Sequence, residues 1–186
     1  MRLNLGCGFD QREGFINIDS WGGCKPDLHL NLESIPWPFA DHSVTEIVAR
    51  HVIEHLAPDF NSFSTLWKEI YRVCSDGCEL HIAVPYYKSN EYWSDPSHVR
   101  VYTPLTFAMF SKAENKRWQE EASSNTMLAM QLDIDFQVVR SEVIWQPHWQ
   151  ARLDRGELTP DQLLEIERDR WNVVKELNFH LVAVKP

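Results

Sequence analysis

Leu3-Asn4-Leu5-Gly6-Cys7-Gly8, followed by Gly14-Phe15-Ile16-Asn17-Ile18-Asp19, decides how the rest of the sequence is read. Arg2–Leu5 reads as a short strand that stops at the Gly6-Cys7-Gly8 turn, and Phe15–Asp19 as a second strand ending in an acid. Glycines after a strand let backbone N–H groups approach a ligand, and a carboxylate can accept both hydroxyl protons of a ribose diol. Two glycines easing a tight turn would account for the same pattern with no ligand at all. Spacing narrows the ligand class. A dinucleotide fingerprint wants a third glycine at position 11 and an acid about 20 residues on. Here Gln11 holds that position, and Asp19 follows Gly8 by 11 residues. The stretch from Gly8 to Phe15 has room for a turn or two of helix, a poor cradle for a pyrophosphate, so a nicotinamide cofactor is disfavoured.

Outward from this opening, Leu28–Leu32 and Val44–Ala49 read as third and fourth strands. Phe60, Phe63, Leu66, Trp67, Ile70, Tyr71 and Cys74 then form one apolar stripe at helical spacing. Pro58 suits the first turn of that helix, and Gly77 comes soon after its end. Cys78–Val84 is a fifth strand. Pro104–Phe110 reads as a short helix, Lys112–Leu132 holds more helix, and Phe136–Trp145 is a strand. Thr159-Pro160-Asp161-Gln162 opens a capped helix running to about Trp171. Glu176–Val184 closes as a strand placed to pair antiparallel with the preceding one. This order argues for an α/β fold, a mainly parallel sheet covered by helices. No repeat or linker divides residues 1–186, so a single domain is expected.

Composition sets the outer bounds. The 186 residues are 44% hydrophobic and 24% charged, a globular balance. No apolar run approaches the ~18 residues of a membrane helix. Met1–Gly6 reaches a glycine before any signal-peptide core could form, so a cytoplasmic protein is expected. The net charge of −9 disfavours a nucleic-acid partner. Cys7, Cys24, Cys74 and Cys78 read as small buried thiols, since a chain of this length needs no disulfide staples.

Four motifs in order carry a family resemblance: the opening, Leu3–Gly8 with Gly14–Asp19, then Leu30–Phe39, His51-Val52-Ile53-Glu54-His55-Leu56, and Arg72–Leu80. Together they resemble class I S-adenosylmethionine-dependent methyltransferases of the type-11-like kind. The resemblance covers residues 1–105 and, beyond them, the last-strand pattern. It implies a Rossmann-like three-layer sandwich whose mostly parallel seven-stranded sheet has an antiparallel last strand. It implies S-adenosylmethionine as cofactor, with Gly6, Cys7 and Gly8 along its methionine part and Asp19 on the ribose hydroxyls. Asn31 and Leu32 would border the adenine, and His51 would lie beside the transferred methyl. Asn31 stands where many relatives have an acid, and the helix that usually precedes the first strand is missing.

The acceptor side is read from Pro85–Arg100, a long loop after the fifth strand, where parallel sheets bind ligands. Its Asp95-Pro96-Ser97-His98-Val99-Arg100 segment looks like one in related methyltransferases, and also reads as a turn built on Asp95 and Pro96. His98 is the candidate general base, Asp95 its orienting group, and Tyr86 a positioner of the acceptor. Tyr87, Tyr92, Trp93, Trp145 and Trp149 could stack on a planar or sugar acceptor, or be core. The acceptor is expected to be a small molecule or glycan precursor. Two other readings stay open. One is a non-catalytic module that binds the same cofactor. The other is a zinc hydrolase, because His51-x-x-Glu54-His55 fits an inverted zinc-peptidase motif. That motif needs His51 and His55 a turn apart on a sustained helix, whereas a strand ends at Arg50 and Pro58 interrupts soon after, so no metal is expected there. Glu54 is instead expected to brace the loop by holding backbone N–H groups, and His81 and His180 to be hydrogen-bonded within strands.

Overall fold

Alternation drives the first strand: Leu3 and Leu5 point into the core, while Asn4 between them donates to the Asp10 carbonyl and Asn17 Oδ1. The computed structural model describes residues 1–186. Its strands are β1 (Arg2–Leu5), β2 (Ile16–Asp19), β3 (Leu28–His29), β4 (Val44–Arg50), β5 (Cys74–Pro85), β6 (Phe136–Trp145) and β7 (Val174–Ala183). They form one sheet in the order β3-β2-β1-β4-β5-β7-β6. β1 pairs parallel with β2 and β4, with Leu3 opposite Ile16 and Ile47. β7 is antiparallel to both β5 and β6, as expected of the last strand. With helices against the sheet, this is the Rossmann-like architecture that the resemblance implies.

Helix α1 (Phe60–Val73) buries Phe63, Leu66, Trp67, Ile70 and Val73. Its N-cap is Asp59, whose carboxylate accepts from the Asn61 and Ser62 N–H groups, so Pro58 lies just outside the helix rather than in its first turn. Two stripe positions fall away at the ends. Phe60 is exposed, and Cys74 already belongs to β5, because the helix passes directly into the strand. Gly77 (φ +72°) lies within β5, where the pairing with β4 slips between Val44 and Glu46. Trp67 is fully buried, its ring 4.5 Å from Phe110 and 5.8 Å from Phe136.

Short helices α2 (Asn90–Ser94), α3 (Pro104–Ala108), α4 (Lys112–Glu120) and α5 (Leu128–Leu132) join β5 to β6. Phe107 of α3 sits 4.4 Å from Phe179 of β7, on the same core as α1. Two helices, α6 (Pro147–Asp154) and α7 (Pro160–Asp169), separate β6 from β7 where the sequence suggests one. The Thr159–Gln162 capping box forms as expected, and α7 ends at Asp169. Trp149 and Leu163 form a small second cluster with Val173. No helix is long and apolar enough to cross a membrane.

The helical cover is uneven. No helix forms between Gly8 and Phe15. The Asn17 side chain replaces it as a staple, accepting from the Arg12 N–H and donating to Asp27. On the sheet face opposite the main core, strand residues and Arg12 alone line an open concavity of about 460 Å³. His81 and His180 stack there at 4.6 Å across β5 and β7, both near Glu79, and Arg50, Arg140 and Glu142 add charge. All four cysteines are buried and unbridged.

Candidate functional site

The carboxyl end of β1 is shaped by backbone. Gly6 has φ +59°, and a Cβ there would lie 2.4 Å from Val52 Cγ2. Glycine is required both for the left-handed turn and for the close approach to the chain after β4. Gly8 (φ +48°) differs, because a Cβ there meets nothing within 4 Å. Its N–H donates to Asp19 Oδ2 at 2.8 Å, and the Trp21 N–H donates to Oδ1 at 2.8 Å. Asp19 is therefore clamped between two backbone donors, with a further lone pair on each oxygen for a ligand. Cys7 is buried, its thiol pushed up to about 12 by burial and then by neighbouring Cys24.

The adenine-side candidates face different ways. Asn31 is exposed, and its Oδ1 accepts from the Glu33 N–H. The Leu32 side chain lies in the main core, and its carbonyl accepts from Trp37 Nε1. Sequence reasoning passed over Phe9 and Trp21, which are 80% and 56% exposed and meet edge to face at 5.4 Å. The available signal was two large aromatics in loops directly beside Gly8 and Asp19.

Past β4 the site is made of side chains. A cavity of about 280 Å³ is lined by His51, Glu54, His55, Pro85, Glu91, Asp95, His98 and Lys175. His51 has φ +52° and donates from Nε2 to Glu176 Oε2 at 2.7 Å. That bond, then the Glu54 carboxylate, raises its pKa to about 9 against the opposing effect of burial, so it is a cation at neutral pH. Burial pushes the Glu176 carboxyl up, but the His51 bond and Arg50 outweigh it and hold the group below its ordinary range. Ile53–His55 is only a single 3₁₀ turn, so His51 and His55 do not share a helix face, and the zinc-peptidase geometry is absent.

Glu54 does hold backbone N–H groups, but through its carbonyl: Val99 and Arg100 donate to it at 2.8 and 3.1 Å. Those bonds bring the loop after β5 over the end of β4. His98 donates from Nδ1 to the Tyr92 carbonyl at 2.6 Å, leaving Nε2 as its lone-pair nitrogen. Asp95 does not orient the His98 ring. It accepts from the Ser97 N–H and hydroxyl, and Ser97 Oγ meets His55 Nδ1 at 2.8 Å, so its reach is to His55. These Ser97 bonds hold the Asp95 carboxyl below its ordinary range.

Tyr86 stands apart. Its hydroxyl donates to Glu167 at 2.5 Å in a separate, mostly apolar cavity of about 410 Å³, and burial with that bond pushes its pKa up. The other aromatics divide: Tyr92 is buried against His98, Trp149 is in the small second cluster, and Trp93 is exposed. Ser97, Lys175 and Glu176 carry no local sequence signal for chemistry, because only tertiary contact brings them to the site.

No protein-family model and no curated protein matches the sequence. Solved structures do. A SAM-dependent methyltransferase from Archaeoglobus fulgidus aligns over 97% of this chain and 85% of its own, at 14% identity and TM-score 0.60. Geranyl diphosphate C-methyltransferase from Streptomyces coelicolor, solved with Mg²⁺, geranyl diphosphate and S-adenosyl-L-homocysteine, aligns over 98% and 70%, at 11% and 0.50. The [4+2]-cyclase SpnF aligns over 100% and 74%, at 13% and 0.52. At such identities the likeness is one of fold, and this chain has the fold of the class I S-adenosylmethionine-dependent methyltransferases.

Proposed function

We propose that residues 1–186 act as one S-adenosylmethionine-dependent methyltransferase domain that methylates a small-molecule or glycan-precursor acceptor. The observation carrying this reading is the packing of Gly6 on Val52, which sets the glycine turn beside His51 and its cavity. Gly6, Cys7 and Gly8 would line the methionine part of the cofactor and the clamped Asp19 would take the ribose hydroxyls. The backbone of Asn31 and Leu32, with the exposed Trp21 ring, would border the adenine. His51 would stand between cofactor and acceptor.

When bound, S-adenosylmethionine would supply an electrophilic methyl group: an acceptor lone pair would form the new bond to carbon while the carbon–sulfur bonding pair passes to sulfur, releasing S-adenosylhomocysteine. Positioning at ~3–3.5 Å in line supplies much of the rate. An acceptor that arrives protonated gives its proton to His98 Nε2. Asp95 supports the neighbouring His55 through Ser97, and Tyr86 with its apolar cavity would hold the remoter part of the acceptor. The charge of −9 supports an acceptor other than nucleic acid.

A [4+2]-cyclase shares the fold, so the fold alone does not imply methyl transfer, and a second reading stands beside the first: a module that binds the cofactor without catalysis. Calorimetry tests the shared part: S-adenosylhomocysteine should bind and NAD should not. Asp19→Ala should weaken that binding by roughly 1.5–3 kcal/mol, the scale of a hydrogen bond to a charged group. Tight NAD binding, or unchanged affinity in Asp19→Ala, rejects the assignment. Product formation across a panel of acceptors then separates enzyme from binding module.

A further inference from the structure

Glu54 is 1% exposed, and neither of its carboxylate oxygens has a hydrogen-bond partner. The nearest nitrogens across the cavity are His51 Nδ1 at 3.5 Å and His98 Nε2 at 4.0 Å, neither a good hydrogen bond. The charge of His51 at 3.5 Å offsets part of the cost of burying this carboxyl group, but both oxygens remain without a hydrogen-bond partner and face the cavity free to accept one. Close by, one Glu54 oxygen and one ring nitrogen each from His55 and His98 lie within 4.8 Å of one another.

The two imidazoles are prepared in the same way. His98 donates from Nδ1 to the Tyr92 carbonyl, and His55 Nδ1 is held by Ser97 Oγ, which is itself held by Asp95. Each arrangement fixes a tautomer with its lone pair on Nε2, as a backed metal ligand requires. His51 is excluded from the set, because its Nε2–H is committed to Glu176.

We propose that Glu54, His55 and His98 bind one divalent first-row transition-metal ion. Two imidazoles and a carboxylate suit zinc or iron better than magnesium or calcium, which prefer all-oxygen shells. Ligand atoms around a tetrahedral ion at ~2.1 Å lie ~3.4 Å apart, so the three side chains draw together by about an ångström on binding. Three protein ligands leave a position open toward the cavity. The set shares Glu54 and His55 with the peptidase pattern but takes its third member from the loop after β5. Binding of the ion stands by itself. Its use to hold an oxygen of the acceptor rests on the methyltransferase reading above, with His98 Nε2 then a ligand to the ion in place of the proton acceptor.

The test is direct metal binding by the full chain after removal of metal with a chelator. Zn²⁺ titrated by calorimetry should bind at one ion per chain and raise the unfolding temperature, and Co²⁺ should give a visible absorption band displaced by Zn²⁺. His55→Ala and Glu54→Gln should weaken binding at least ~100-fold, and Ser97→Ala by about 10–100-fold through its hold on His55. Ser97 is near the surface, so this last variant remains informative if the Glu54 change prevents folding. Stripped, folded wild-type protein that takes up less than one equivalent overturns the proposal. So does binding that survives His55→Ala and disappears in His81→Ala, which would move the ion to the Glu79-His81-His180 group. S-adenosylhomocysteine titrated in parallel keeps the two readings apart. Zn²⁺ binding without it leaves the metal site standing and removes the methyltransferase, and the converse removes only the metal.

Discussion

At the β1–β2 end of the sheet the backbone makes the site, whereas past β4 side chains make it. Gly8 and Trp21 clamp Asp19 with main-chain N–H groups, within residues close in sequence. The other half gathers His51, Glu54, His55, Asp95, His98 and Lys175 from three stretches of chain, and Glu176 backs it. A backbone site announces itself through the glycines that its geometry demands. A side-chain site of ordinary residues exists only after the chain has folded.

The contrast can be broken by asking which half controls turnover and which controls affinity. His98→Ala should lower turnover by about 10²–10⁴-fold while S-adenosylhomocysteine affinity stays within about twofold, whether Nε2 takes a proton or holds an ion. Loss of affinity and turnover together would erase the division. Next in size, Gly6→Ala should destabilise the fold by about 2–5 kcal/mol in urea unfolding. A left-handed alanine costs roughly 1–2 kcal/mol, and its Cβ collides with Val52. Gly8→Ala sharpens this comparison, because only the left-handed term, roughly 1–2 kcal/mol, applies to stability. Its methyl group enters the open space beside Asp19, so cofactor affinity should fall clearly more than in a Gly22→Ala control. Equal affinities for Gly8→Ala and the control would mean that the open space is not the cofactor site. The smallest effect is expected of Tyr86→Phe, which removes the hydroxyl on Glu167 and should cost about 1 kcal/mol in thermal unfolding. Because Tyr86 lines the apolar cavity away from His98, the variant should change KM for the acceptor more than kcat.

What was legible follows the same division. β6 at Phe136–Trp145 and the start of α7 at Pro160 agree with the sequence reading, because a run rich in β-branched and aromatic residues and a capping box are local signals. The third strand is shorter than Leu28–Leu32, since only Leu28 and His29 pair with β2. α6 went unread because Trp149 is its only buried residue, too little to make a stripe. The helix allowed for between Gly8 and Phe15 lost to the Asn17 amide, whose partners are fixed by tertiary placement. Asp95 serves a different histidine from the one its sequence neighbourhood points to, for a similar reason. Adjacency in sequence suggested His98, while the turn hands the carboxylate to Ser97 and thence to His55.

The position of β7 has a consequence for how the molecule is made. It is the last of the seven strands in chain order, yet it lies between β5 and β6 and is the only partner of β6. Until Val174–Ala183 emerges, β5 keeps an unpaired edge and β6 has nothing to join. Two of the seven strands, β7 and β6, therefore join the sheet late, through contacts of long sequence separation that form slowly and expose strand edges meanwhile. Chains arrested before Val174 should be cut by protease within β6, and completed chains should not. A late, central strand makes the finished sheet a checkpoint on synthesis: the cavity that Lys175 lines and Glu176 backs cannot exist on an incomplete chain.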